Sequence, residues 1–175
     1  MDDKPTVLVV DDDRSIVELL RDFLENDQFQ VAMAEDAMQA WTVFQQRSVH
    51  CIILDVMMPG QSGFDFCRRV RAESGVPILF LSARGDDTDK IRGLTLGGDD
   101  YIVKTASPGE IVARVKAVLR RTGTGTSAST SGPARVLDYG RLKLDPGTRE
   151  VFADQALVPL TPKEFELLQL FMEHP

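Results

Sequence analysis

Histidine and cysteine are scarce in this chain, two of each among 175 residues. Cys51 and Cys67 lie inside apolar or helical patterns, which favours buried free thiols over a disulfide or a metal pair. No His or Cys is placed to build a zinc site. Long apolar runs are missing too; none approaches the ~20 residues that a membrane span requires. Nor is there an excess of positive charge. Twenty Lys and Arg against 27 Asp and Glu leave a net charge of −7. Such a chain has no bulk attraction for nucleic acid or anionic membrane, so any DNA contact needs a local basic surface. The opening Met1-Asp2-Asp3-Lys4-Pro5 does not look like a signal peptide. The expectation is a soluble, cytoplasmic protein without membrane contact. What is present is ordinary globular material, 43% hydrophobic and 27% charged. Its length suits one domain of common size plus something smaller.

Up to about Arg121, short apolar runs alternate with helical periodicities. Thr6–Val10, Gln30–Ala34, Cys51–Leu54, Ile78–Leu81 and Tyr101–Val103 read as strands. Several lack in/out alternation, as parallel strands buried on both faces do. Between them, Ile16, Leu19, Leu20, Phe23 and Leu24 recur at three-and-four spacing, as do Ala37, Ala40, Trp41 and Phe44. Phe66 and Val70 suggest a third helix, Ile91 and Leu94 a fourth. Ile111, Val112, Val115, Val118 and Leu119 mark a fifth, with Pro108 near its start. Five strands alternating with five helices predict an α/β fold: a doubly wound parallel sheet with right-handed crossovers.

The stretch TGTGTSASTSGP (122–133) has no large apolar residue and reads as a flexible linker of roughly 20 Å. The expected organisation is residues 1–121, a linker at 122–134, and a second unit at 135–175. In that unit Arg141–Leu144, Glu150–Ala153 and Ala156–Leu160 look like short antiparallel strands. Turn signals separate them at Asp145-Pro146-Gly147 and Asp154-Gln155. Thr161-Pro162 with Glu164 then opens a helix through a capping box. Phe165, Leu168 and Phe171 form its apolar stripe, with Leu167 and Met172 beside them. About forty residues of this kind make a poor independent core, so the unit reads as the front portion of a second domain.

Ligands of doubly wound sheets bind outside the carboxyl ends of the strands. Here those ends carry Asp11-Asp12-Asp13, Asp55, Ser82 and Lys104. Carboxylates ~4 Å apart repel by roughly 4 kcal/mol per pair at an effective dielectric of about 20, so a cation must hold them together. A hard, oxygen-only set suits Mg²⁺. Asp55 then becomes a nucleophile able to accept a phosphoryl group, with Mg²⁺ and the Lys104 ammonium neutralising the transferring charge. The Ser82 hydroxyl is placed to bond a phosphate oxygen. Taken singly each residue has a bland reading. Asp13, just before the first helix, is better read as its N-cap. A lone Lys104 is usually surface, and Ser82 can simply begin a turn. Their joint occurrence at successive functional strand ends favours chemistry.

The segments VLVVDDD (7–13), LDVMMPGQSG (54–63), PILFLSAR (77–84) and GGDDYIVK (97–104) resemble the receiver domain of two-component response regulators, over residues 5–121. The resemblance implies the CheY-like strand order 2-1-3-4-5 and a sensor histidine kinase as partner. It makes Asp55 the phosphoacceptor and places Mg²⁺ on Asp11, Asp12, Asp55 and the Met57 carbonyl, with Asp12 a direct ligand and Asp11 acting through water. Ser82 becomes the switch hydroxyl, Tyr101 the aromatic switch and Lys104 the phosphate counter-charge. A homodimer is implied through the fourth helix, fifth strand and fifth helix. Ile91, Leu94 and Ala113 would form its apolar patch, and Lys90 with Glu110 and Asp100 with Arg114 its cross-subunit pairs. One departure is Thr105-Ala106 after Lys104, where the family usually has Pro, often cis, and then Phe. A cis bond before Thr costs about 3 kcal/mol, so a trans bond and an altered loop are expected.

Residues 135–175 resemble the start of an OmpR/PhoB-type winged-helix domain through the strand pattern and LTPKEFELLQLF. This implies promoter DNA as the target of the full regulator. Five basic residues against seven acids within 135–175 leave little to grip phosphate in this chain itself.

Rival classes fit less well. A haloacid-dehalogenase-like phosphohydrolase needs a second Asp two residues after the nucleophile, where Met57 stands. Gly60-Gln61-Ser62-Gly63 fails the serine-hydrolase elbow because Phe64 takes the final glycine position. A phosphorylation-independent interaction module is mildly encouraged by Thr105-Ala106 but opposed by the complete acidic set. The chain is therefore expected not to be an enzyme beyond slow self-dephosphorylation, with Met57 and Arg84 flanking the path of an attacking water.

Overall fold

The structure, a computed structural model, describes residues 4–83, 87–121, 136–146 and 150–173. The expected linker lies outside these residues, as do Arg84 and part of the Asp145-Pro146-Gly147 turn. Strands β1 (Thr6–Val10), β2 (Gln30–Ala34), β3 (Cys51–Asp55), β4 (Ile78–Ser82) and β5 (Asp100–Val103) alternate with five helices. These are α1 (Arg14–Asn26), α2 (Ala37–Gln46), α3 (Gly63–Arg71), α4 (Asp87–Thr95) and α5 (Pro108–Arg121). All strand pairs are parallel, in the order β2-β1-β3-β4-β5. Order reverses between β1 and β3, so the carboxyl ends of these two strands border the crevice where ligands bind.

Period-two side-chain alternation splits the core between the two sheet faces. Leu8, Val10, Ile52, Leu54, Ile78 and Phe80 pack on one side, under Phe66 and Val70. Val7, Val9, Ile53, Leu79 and Leu81 pack on the other, under Leu20, Leu24, Val115 and Leu119. Each fully buried Leu, Ile or Val contributes about 1.5–3 kcal/mol. Both cysteines are buried free thiols. No described helix is long and apolar enough to cross a membrane.

Side-chain caps set the helix starts. Asp13 accepts the Ser15 N–H at 3.0 Å, which bears out its reading as an N-cap. Asp36 accepts Met38 N–H and Gln39 N–H at 2.8 and 2.7 Å, and Ser62 accepts Phe64 N–H at 3.2 Å. These caps satisfy backbone donors that the first helical turn leaves unpaired.

Two helix stripes differ from the expectation. In α1 the buried residues are Val17, Leu20 and Leu24, while Leu19 and Phe23 are 47% and 41% exposed. At about 100° per residue the buried arc is centred between Leu20 and Leu24, which leaves the other two on its flank. In α4 the residues that suggested a helix face outward, Ile91 at 65% and Leu94 at 37% exposure. Its inner face is Gly93, where a Cβ would stand 3.0 Å from Phe80 and 3.3 Å from Phe64. The two rings fill the space that a side chain on α4 would need.

A second sheet follows: β6 (Leu137–Asp138), β7 (Leu142–Asp145), β8 (Glu150–Ala153) and β9 (Ala156–Leu157), all antiparallel, then helix α6 (Pro162–Glu173). The β8–β9 turn places Asp154 and Gln155 at φ 50° and 71°, the left-handed pair of a tight hairpin. β9 stops at Leu157, short of the expected Leu160. The α6 capping box is formed: Thr161 N–H donates to Glu164 Oε2 at 2.8 Å, and Glu164 N–H to Thr161 Oγ1 at 3.4 Å. Phe165 and Met172 join Leu144 and Val151 in a small core, with Leu168 partly buried. Phe171, expected in that stripe, is 64% exposed, and Leu167 is exposed as well.

Candidate functional site

Parallel pairing aligns the strand ends, and the ends of β1, β3, β4 and β5 carry the site. Asp11, the residue after β1, is fully buried; Asp55 closes β3 at 2% exposure; Asp12 faces solvent. Each of the three offers a carboxylate oxygen, all within 4.8 Å of one another. Ser82 ends β4, buried, one register step beyond the Asp55–Leu81 pair.

Lys104 leaves β5 with its N–H bonded to Ser82 O at 2.7 Å, which anchors the base of its side chain. Its ammonium then sits between the acids, 2.7 Å from Asp11 Oδ2 and 3.0 Å from Asp55 Oδ2. There is no cis peptide among the described residues, so the bond before Thr105 is trans as expected. Lys104 reaches the pocket without the usual proline.

Asp55 Oδ1 accepts the Met57 N–H at 3.1 Å, and Asp11 Oδ1 accepts the Asp13 N–H at 2.9 Å. Burial raises the Asp55 pKa above the ordinary carboxylate value, with the Asp11 charge adding to it; the Met57 and Lys104 contacts oppose this. For Lys104 desolvation favours the neutral amine, but the close Asp11 and Asp55 carboxylates outweigh it and raise its pKa. The ammonium is therefore retained, and among the described residues of the cluster three carboxylates face one cation, a formal deficit of two charges. Asp11 Oδ2, held only by that ion pair, makes no hydrogen bond of good geometry. An all-oxygen set with this deficit fits a hard divalent cation and offers no soft ligand.

Sequence reasoning missed the support beneath the site. A Cβ on Gly63 would overlap the Asp55 carbonyl oxygen and stand 3.2 Å from Val56 Cα, so only glycine lets α3 start against the β3 end. No local sequence pattern signals this contact. Arg71 is likewise structural. It bonds Gly97 O, Val76 O and Asp99 Oδ2, and Asp99 in turn accepts the Ile78 N–H.

Tyr101 lies inward at 7% exposure, its ring 6.4 Å from that of Phe80. Met57 is 60% exposed beside the pocket. Lys90, Ile91, Leu94 and Ala113 share exposure on the α4–β5–α5 side. Asp100 and Arg114, expected to pair across subunits, also meet within one chain: Arg114 lies 2.8 Å from Asp100 Oδ2 and 2.8 Å from Glu110 Oε1. The planar guanidinium fork serves both carboxylates at once.

Residues 7–116 match the response regulator receiver domain family. The chain is 43% identical over 169 residues to a probable transcriptional regulator, ycf27, of Cyanophora paradoxa, across 97% of this chain and 71% of that protein. It is 38% identical over 170 residues to the transcriptional regulatory protein SrrA of Staphylococcus aureus, across 97% and 70% of the two chains. The solved structure of DrrB, an OmpR/PhoB homolog from Thermotoga maritima, superposes with a TM-score of 0.62. Its identity is 28%, over 97% of this chain and 73% of that one. Receiver domains are phosphoacceptors that bind Mg²⁺ at an acidic cluster and have histidine kinases as partners. A family match over well more than half the chain, on a sheet of the CheY-like order, makes this chain a member of the response regulator family, carrying the receiver domain of a two-component system.

Proposed function

We propose that Asp55 accepts a phosphoryl group from a sensor histidine kinase and that the resulting charge switches a transcription regulator. The phosphorus–nitrogen bond of the donor phosphohistidine breaks as a bond forms from phosphorus to an Asp55 carboxylate oxygen. The observation that carries this reading is the Lys104 ammonium lying within 3.0 Å of both Asp11 and Asp55 at the head of the sheet. A phosphoryl group carried by Asp55 thus arrives beside a cation already in place. The Asp11, Asp12 and Asp55 carboxylates and the Met57 carbonyl are the proposed holders of Mg²⁺, which when bound neutralises charge on the transferring oxygens. The Ser82 hydroxyl donates a hydrogen bond to an oxygen of the new anion, and Tyr101 answers by its rotamer. Apart from slow loss of its own phosphate, the domain turns nothing over.

Residues 1–121 act as the receiver, 122–134 as the linker and 135–175 as part of an OmpR/PhoB-type DNA-binding unit. Promoter DNA is the target of the full-length regulator, in the cytoplasm. The phosphorylated receiver pairs through α4, β5 and α5, with Ile91, Leu94 and Ala113 at the centre. Arg114 exchanges one of its own-chain carboxylates for a partner's, while Lys90 meets the partner's Glu110.

The test is mass spectrometry after incubation with acetyl phosphate and Mg²⁺. One phosphoryl group per chain is expected, absent in Asp55→Asn. Asp12→Ala should lose Mg²⁺ binding, and Lys104→Ala should keep it while responding poorly. Undiminished metal-dependent labelling of Asp55→Asn would move the acceptor elsewhere.

A further inference from the structure

The sheet has a second functional pole. At the amino ends of the strands, opposite Asp55, the turn between α3 and β4 carries Gly75. Its backbone φ is not in the left-handed region, so backbone strain does not call for glycine there. The three atoms nearest to a Cβ at this position all belong to the second unit. It would overlap the Leu160 carbonyl oxygen, stand 2.7 Å from the Leu160 carbonyl carbon and 3.5 Å from Thr161 N. Only the absence of a side chain lets the segment leading into α6 come this close.

Two polar contacts flank the glycine. Lys163, in the first turn of α6, donates to Gly98 O at 3.4 Å across the α4–β5 turn. Burial lowers the Arg71 pKa, and the charge of Glu164, the next residue of α6, is among those that oppose it, after Asp99. Arg71 itself already ties that turn to β4 through Gly97 O, Val76 O and Asp99. Beside these contacts an open cleft of about 330 Å³ remains, between His50, Glu73 and Pro77 on one side and Glu150, Leu157 and Phe165 on the other. The touch is therefore narrow, a few main-chain and charged contacts around one glycine. Small, polar contacts of this kind between units of one chain are reversible.

We propose that the Gly75 turn is an intramolecular docking seat for the segment Leu160–Glu164, which holds the second unit in one orientation on the receiver. The seat and the acidic pocket lie beyond opposite ends of the five-residue strand β4, itself roughly 16 Å long at ~3.3 Å per residue. It leaves both Asp55 and the α4–β5–α5 side uncovered. Docking and phosphorylation are thus compatible, and the seat fixes where the second unit points while the receiver is modified.

The test is Gly75→Ala, with Gly75→Glu as a larger wedge, in the complete chain. Hydrogen exchange of the segments around residues 74–77 and 157–164 reports the seat, and small-angle scattering reports the spread of the two units. Exchange is expected to rise several-fold in both segments and the radius of gyration to increase, more for Glu than for Ala. Receiver melting and acetyl-phosphate labelling at Asp55 should stay at parent values. That last readout separates this inference from the phosphoacceptor reading, which fails only on labelling. Parent-like exchange and radius in both variants would overturn the seat. So would a loss of receiver stability in Gly75→Ala, which would make the glycine a requirement of the receiver's own turn.

Discussion

At the residue scale the pocket is a problem in charge. Asp11 and Asp55 are buried side by side, and the single ammonium of Lys104 serves both. Burial raises the Asp55 pKa, so the charged form is less favourable in the folded protein than in the unfolded chain. Its contribution to stability is therefore fullest below the ordinary carboxylate value of about 3.9, and is lost as the pH rises through the raised folded value. At neutral pH the metal-free protein carries the cost of the ionised group. Asp55→Asn should accordingly melt higher than the parent by a few degrees in metal-free buffer at neutral pH, and the gain should shrink as the buffer is acidified toward the ordinary carboxylate value. Mg²⁺ should stabilise the parent more at neutral pH than in acid, by offsetting the same charge. Thermal unfolding with and without chelator measures both; a Mg²⁺ shift that grows in acid would contradict the assignment. The acids, Ser82 and Lys104 were legible in the sequence because each stands where an apolar strand run ends. Gly63 was not, because its role is a contact with the Asp55 carbonyl that no local pattern encodes.

At the scale of elements, strands were easier to read than helix faces. Three of the receiver's strands, β1, β3 and β4, are buried on both faces, so their position does not depend on which face a residue takes. Helix faces do depend on it. Ile91 and Leu94 announced α4 correctly yet point outward, because the surface beneath α4 is already filled by Phe80 and Phe64 and admits only Gly93. The junction of α3, β4 and β5 was also hidden. Arg71 gathers carbonyls of two turns and the carboxylate of Asp99, itself 8% exposed, into one buried node. Removing one partner of a buried pair leaves an uncompensated charge, so Arg71→Ala should lower unfolding free energy by about 3–5 kcal/mol. Urea titration reads this directly. A loss below 1 kcal/mol, within the range of about 0–1 kcal/mol for exposed pairs, would show that the node is solvated.

For the whole molecule, two surfaces remain to be used, the α4–β5–α5 side and the Gly75 seat. The dimer proposed for the first joins an exposed Ile91 and Leu94 across a two-fold axis, with Arg114 giving up a contact in its own chain. That exchange returns little net energy, since exposed ion pairs contribute about 0–1 kcal/mol each. The dimer should therefore be weak unmodified and tighter once Asp55 is phosphorylated, and Ile91→Asp should abolish it without loss of labelling. Light scattering of the acetyl-phosphate-treated protein at high concentration is the check; a monomer throughout would remove the dimer.

By itself the sequence determined the alternation of strands and helices, the break in texture after Arg121, the N-caps at Asp13 and Thr161 and the residues at the strand ends. These are local: propensity, apolar periodicity and capping chemistry act between near neighbours in the chain. Tertiary structure alone decided that one lysine bridges two acids contributed by β1 and β3. It also decided that Arg114 reaches Asp100 within its own subunit, that Leu19, Phe23 and Phe171 stay outside the cores, and that Gly75 meets Leu160. Each of these depends on which surfaces arrive at the same place after the sheet has twisted and the helices have packed. Residues 14 to 93 positions apart in the chain come into contact there, and no window of sequence contains both partners of the longer contacts together with the space between them.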